Sequence, residues 1–317
     1  MQSIHSLMLD GRGGARAVDP STTPAPGEVL WLHLDLNDAE QARWVRTSSG
    51  LEPVLAEAML AVDTRPRSFV NGDGLFLNMR GINVSSDSEP EDMVALRMWF
   101  EASRVVTVRR RHLQAAIDVS ETLANGSGPT SAGRLLTDLV ERLLFRIGGH
   151  IAALEDEADE LEEIVMSARS REPRARISEL RRNTISLRRY LAPQRETITR
   201  LHAERVTWLD DTDRAELRET GDAVTRYLEI LDSTRERAAV SSEELSNRLA
   251  EQMNNTMYML SIVTAIFLPL GLLTGLLGIN VGGMPGVDSP WAFSLVVVFL
   301  VLIGVAEYLW FRSQRLV

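Results

Sequence analysis

The chain has 317 residues, of which 44% are hydrophobic and 25% charged, with 34 Lys and Arg against 44 Asp and Glu and a net charge of −10. That balance argues against a nucleic-acid partner and favours attraction of cations. The absence of cysteine and the scatter of His5, His33, His112, His150 and His202 exclude a His/Cys metal cage. No Gly-rich phosphate loop, paired-His spacing or nucleophile elbow is present, so an enzyme is not expected and no cofactor is implied.

Met1–Ala17 lacks an apolar core of signal-peptide length, which places the first part of the chain in the cytosol. The opening is rich in Gly and Pro up to Gly27. Val29–Leu34 then alternates as a strand, and Asn37-Asp38 offers a cap for a following helix. Ser68–Val70 and Leu75–Val84 flank Asn71-Gly72-Asp73-Gly74, a hairpin signature. Met93–Phe100 and Arg104–Val108 supply two further strands, which predicts a mixed, mostly antiparallel sheet. From Leu113 the apolar positions recur three and four apart, as in long helices, with breaks near Asn125–Pro129, Arg171–Pro173 and Thr207–Asp211. The last helix starts near Asp210–Thr212 and meets no proline before Pro269; about sixty-five residues at 1.5 Å each make a rod near 100 Å long.

Two uncharged stretches close the chain, Met257–Leu277 and Trp291–Phe311. Each is long enough, at roughly 30 Å, to cross the hydrocarbon core of a bilayer. The loop between them has no Lys or Arg, whereas Arg248 precedes and Arg312 and Arg315 follow, so both termini are expected in the cytoplasm. The domain reading is residues 1–206 as a cytoplasmic sheet-and-helix domain, 207–256 as the cytoplasmic stalk of the long helix and 257–277 as the first span. Residues 278–290 form the outer loop, and 291–317 the second span with a short basic tail.

Gly278, Gly275, Gly271, Leu268, Thr264, Leu260 and Met257 fall three or four apart on one stripe of the first span, while Ile262, Ile266, Phe267, Leu270 and Leu273 are bulky. A two-span hairpin cannot enclose a polar path, so conduction requires several copies around a shared axis, with this stripe facing it. Small residues at that spacing also let two membrane helices pack closely without a pore. Asn280 supplies an amide at the helix end that can replace water around a cation, and Asp288 is the only formal charge in the loop. Upstream, Glu243, Glu244, Asn247, Glu251 and Asn254 form an acidic and amide group where the helix approaches the membrane. The acidic run Glu155–Glu163 offers oxygen ligands for a regulatory metal, or partners for arginines. Glu307 lies toward the inner end of the second span, as an interfacial residue would.

Gly278-Ile279-Asn280, followed by a short loop and a last span, resembles the Gly-Met-Asn signature of the CorA-type metal ion transporters. With Val281-Gly282-Gly283-Met284-Pro285-Gly286 it is similar to the ZntB branch of zinc transporters, as are Thr64-Arg65-Pro66-Arg67, Arg80-Gly81-Ile82-Asn83 and Glu91-Asp92-Met93-Val94. The resemblance implies an α+β cytoplasmic domain, with a mixed sheet flanked by helices, a long stalk helix and a two-helix transmembrane hairpin, assembled as a homopentameric funnel in a bacterial inner membrane. It implies Gly278, Ile279 and Asn280 as the outer entrance that holds a hydrated cation. Met257, Leu260, Thr264, Leu268, Gly271 and Gly275 would line the conduit. Leu260, Leu268 and Met257 would act as hydrophobic constrictions. Two positions depart from the magnesium-type pattern: Ile279 replaces Met, and Gly286 stands where the loop acid would be. Zinc is what the resemblance implies; the neutral amide and carbonyl lining does not show it, because zinc prefers N and S ligands. The alternatives are a magnesium, cobalt or nickel channel of the same build, or a two-span sensor or scaffold. Proton coupling is not legible in the spans.

Overall fold

The computed structural model describes residues 5–62, 65–83, 93–167, 172–201, 203–279, 286 and 289–313. They divide into two compact units, one reaching Glu243 along the chain and the other beginning at Glu244.

The first unit is built on strands β1 (His5–Leu9), β2 (Ala15–Ala17), β3 (Val29–Asp35), β4 (Arg67–Asn71), β5 (Gly74–Gly81), β6 (Val94–Phe100) and β7 (Arg104–Arg109). They form one sheet in the order β2-β1-β3-β7-β6-β5-β4, and every neighbouring pair is antiparallel except β3 and β7. The expected hairpin closes through Gly72-Asp73, with Asn71 opposite Gly74 and Gly72 at φ +63°, a left-handed position that glycine occupies without strain. β5 is buried along its whole length, which explains a run that is apolar on both faces, Leu75-Phe76-Leu77. The strands β1 and β2 are a correction: the Gly- and Pro-rich opening is not merely irregular. Three residues of β2, all partly or fully exposed, are too short a stretch to show an alternating pattern.

Helices cover both faces. Helix α1 (Ala39–Thr47) starts on Asp38, whose carboxylate accepts the backbone N–H of Glu40 at 2.8 Å, as the cap signal predicted. With α2 (Pro53–Leu60) it packs on the face carrying Leu30, Leu32, Phe76, Trp99 and Val106. α3 (Gln114–Ala124) and α4 (Ala132–Ser167) lie on the other face, where a side chain at Gly81 would meet Leu143 of α4 at 2.6 Å. α5 (Pro173–Leu201) buries Ile177, Leu180, Thr184, Leu187, Leu191, Gln194, Ile198 and Leu201, a strict three-four repeat. The first part of α6 (Asp211–Leu277) repeats it with Leu217, Val224, Leu228, Leu231, Thr234, Ala238 and Ser241. Arg188 of α5 reaches Asp232 of α6 at 2.7 Å, and Arg237 of α6 reaches Glu162 of α4 at 2.7 Å, so these helices form a bundle held by one apolar seam each. α6 begins on a reciprocal cap, with the Asp213 N–H donating to Asp210 at 2.8 Å and the Asp210 N–H to Asp213 at 3.2 Å.

The parallel pair β3·β7 is fastened by side chains as well as by its ladder. Thr107 Oγ1 accepts the Trp31 indole N–H at 3.0 Å and lies 2.7 Å from His33 Nδ1, while Thr107 Oγ1 donates to the Leu32 carbonyl at 3.3 Å. Arg109 Nε donates to His33 Nε2 at 3.1 Å, which requires a neutral imidazole with its proton on Nδ1. Burial, then the Arg109 charge and His5, pull the His33 pKa down to about 3.

Two outcomes follow. Thr107→Val removes the shared acceptor of Trp31 and His33 and is expected to lower the stability of this unit by about 1–3 kcal/mol in chemical denaturation. For His33 the unfolded chain takes up a proton below roughly pH 6.5, whereas the folded chain does so only near 3. Its contribution is therefore fully present above about 6.5 and is lost as the pH falls toward 3. Melting temperatures between pH 7 and pH 4 should drop, and His33→Gln should flatten that slope; an unchanged slope would assign the acid sensitivity elsewhere.

Candidate functional site

α6 continues through Pro269 to Leu277, and α7 covers Ala292–Ser313; each is long and apolar enough to cross a membrane. From Glu251 onward the half-shaded positions of α6 are Ile262, Ile266, Pro269, Leu270 and Leu273, and those of α7 include Val296, Leu300, Ile303, Gly304 and Glu307. These are the faces the two helices turn to each other: a side chain at Gly304 would touch Leu270 at 3.9 Å. Four of the bulky residues singled out in the sequence therefore face α7, while Phe267 remains 68% exposed.

Met257, Leu260, Thr264, Leu268, Gly271, Gly275 and Gly278 are all exposed. At about 100° per residue they occupy an arc of roughly 80°, centred about 180° from the α7-facing positions. Nothing among the described residues of the second unit covers that stripe. Thr264 donates its hydroxyl hydrogen to the Leu260 carbonyl at 2.8 Å, leaving its oxygen as an acceptor on the open face. The helix ends as the Gly278 N–H reaches the Thr274 carbonyl at 3.0 Å, and Ile279 is half exposed. Asn280 and Asp288, expected from the sequence as the entrance amide and the loop acid, lie outside the described residues, as does His202.

The upstream group divides. Glu243, Asn247, Glu251 and Asn254 are exposed, whereas Glu244 pairs with Arg248 one turn on, at 2.6 Å. Counting by sevens reveals what the three-four count along one span missed. Asp222, Glu229, Glu236, Glu243, Ala250, Met257, Thr264, Gly271 and Gly278 follow one another at seven-residue intervals, and Asn247, Asn254, Ser261, Leu268 and Gly275 run beside them. The four acids are exposed and turned away from the buried seam. A strict seven-residue repeat forms a continuous stripe only where helices coil left-handedly around one another. The signal was present in the sequence as a period.

The acidic run on α4 is taken by arginines, not laid out as a metal cage. Arg176 binds Glu160 at 2.9 Å and lies 3.7 Å from Glu157, and Arg237 binds Glu162 and Asp159. Arg237 is held more firmly protonated by the hydrogen bonds it donates to Glu162 and Asp159. No group of three or more metal-ligating side chains occurs among the described residues. The Oε2 atom of Glu307 on α7 is buried without a hydrogen-bond partner among the described residues.

A sheet with helices on both faces, a helical bundle and two C-terminal apolar helices define a known class of membrane protein. The full-length structure of the CmaX protein superposes with a TM-score of 0.86 at 38% identity, covering 98% of this chain and 97% of that one. Residues 26–313 match the family model described as CorA-like Mg2+ transporter protein, and the chain belongs to that family. The divalent cation transporter CmaX of Pseudomonas aeruginosa is 39% identical over 99% of this chain and 96% of its own length. The zinc transport protein ZntB of Yersinia enterocolitica is 33% identical over 99% of this chain and 95% of its own.

Proposed function

We propose that this protein moves divalent cations, zinc first, across a bacterial inner membrane, along a path enclosed by the α6 stripes of several copies. The observation that carries the reading is the uncovered face of α6. It carries glycines and a threonine between Met257, Leu260 and Leu268, and it points away from α7. A hairpin left in that state exposes glycines and a threonine oxygen where bulky side chains would suit lipid better. A ring of copies turns the same face onto a shared axis. Family membership supports transport over a sensor or scaffold, and five copies is the number the resemblance implies.

In this reading residues 1–206 form the cytoplasmic domain and 207–256 the cytoplasmic stalk. Residues 257–277 line the pore, 278–290 form the outer loop, and 291–317 make the second span and tail. Gly278, Ile279 and Asn280 hold the hydrated cation at the entrance through carbonyl and amide oxygens. Met257, Leu260 and Leu268 narrow the path. Asp222, Glu229, Glu236 and Glu243 extend it with an acidic ladder that draws cations along the axis. The relative named as a zinc transporter supports zinc; the one named for divalent cations in general supports a second reading, with magnesium, cobalt or nickel carried instead.

Two measurements test this. Asn280→Ala should reduce zinc flux in proteoliposomes about tenfold or more, the loss expected when an interaction worth at least 1.4 kcal/mol disappears; equal flux would remove Asn280 from the entrance. Because the chain has no cysteine, single cysteines can be placed without background. Cysteines at 264, 268, 271 and 275 should react with a water-soluble thiol reagent and block flux, and one at 270 should not. Labelling that ignores this period would overturn the lining.

A further inference from the structure

The first unit, in a chain of net charge −10, gathers five guanidinium groups around one cavity of about 390 Å³. The strand register explains how. Arg80 of β5 is opposite Ala95 of β6, and Arg97, two residues along β6, is opposite Val108 of β7. With period-two alternation Arg80, Arg97 and Arg110 therefore emerge on the same face of three adjacent strands, at the same end. Arg111 and, from α5, Arg189 stand at the mouth beside Tyr190.

Part of this charge has a structural task. Arg97 donates to the Val62 carbonyl and Arg110 to the Leu60 carbonyl, both at 3.2 Å, at the C-terminal end of α2. Arg80 donates to the Met93 carbonyl at 2.8 Å and stacks over Tyr190 at 4.3 Å, and Arg189 takes a second position 4.8 Å from that ring. Arg110, Arg111 and Arg189 keep donors that nothing among the described residues takes up. Arg110 Nε is buried with no acceptor among the described residues. Arg110, Arg111 and Arg189 form no ion pair among the described residues, and no Asp or Glu among them lines the cavity.

We propose that this cavity binds a multiply charged phosphate-type oxyanion, either inorganic pyrophosphate or the polyphosphate of a nucleotide. Guanidinium forks match phosphate oxygens two at a time, and an anion with several oxygens can take the spare donors of Arg110, Arg111 and Arg189 together. A single carboxylate cannot. The Tyr190 ring already stacks with two arginines, so the phosphates carry the recognition.

The test is calorimetric titration of the full-length protein in detergent with metal-free sodium pyrophosphate and, separately, metal-free ATP. Saturable binding is expected, weakened about tenfold or more in Arg111→Ala/Arg189→Ala, each lost charge-assisted bond being worth more than a kcal/mol. Both side chains are exposed, so the variant should melt like the parent, and Arg43→Ala on the distant exposed face of α1 should bind normally. Tighter ATP than pyrophosphate would identify a nucleotide as the source, and equal affinity the inorganic anion. Absence of saturable binding for both probes, or parental affinity in the double variant, would overturn the site.

Discussion

Inside hydrocarbon a backbone must satisfy its own polar groups, and a helix gains little from lipid that another helix would not give it. α6 and α7 meet the first condition alone and spend one face of each on the other. What is left is the stripe from Met257 to Gly278, and its composition controls the rest of the interpretation. A face of three glycines, a threonine, a methionine and two leucines is less suited to lipid than to a close approach of identical helices. The same helix enters the first unit already committed there, with Leu217, Val224, Leu231 and Ala238 buried in the bundle. α6 thus has one seam buried within the first unit and a second, phased differently, that no described residue of the second unit covers.

The first unit is stabilised independently of that stripe. Its sheet has a single parallel junction, β3 with β7, and there Thr107 accepts from Trp31 and sits against His33 while Arg109 fixes the imidazole in its neutral form. A buried hydrogen-bonded network of this kind specifies one register, because slipping β7 by one residue would turn Thr107 to the opposite face.

Much of the architecture was legible in the residues. β3, the hairpin of β4 and β5, the strands β6 and β7 and the boundaries of the long helices follow from alternation, from Gly72-Asp73 and from the breaks at Asn125–Pro129, Arg171–Pro173 and Thr207–Asp211. β1 and β2 were not, since short edge strands among glycines and prolines carry too few alternating positions; the eight residues of α2 were missed for similar reasons of length. The α4 acids were ambiguous until Arg176 and Arg237 were placed against them, because a charge run does not disclose which cations a distant helix brings. The division of the first span into an α7 face and an open face could be read from residue size. The ladder Asp222, Glu229, Glu236 and Glu243 needed the longer period of supercoiled helices.

The central claim is cation passage, and it is tested most directly by zinc entry into proteoliposomes holding the purified full-length protein, with magnesium as competitor and an imposed pH gradient as a second variable. The account predicts zinc entry above that of protein-free liposomes, little reduced by excess magnesium. Zinc entry no faster than in empty liposomes, with or without the gradient, would contradict it.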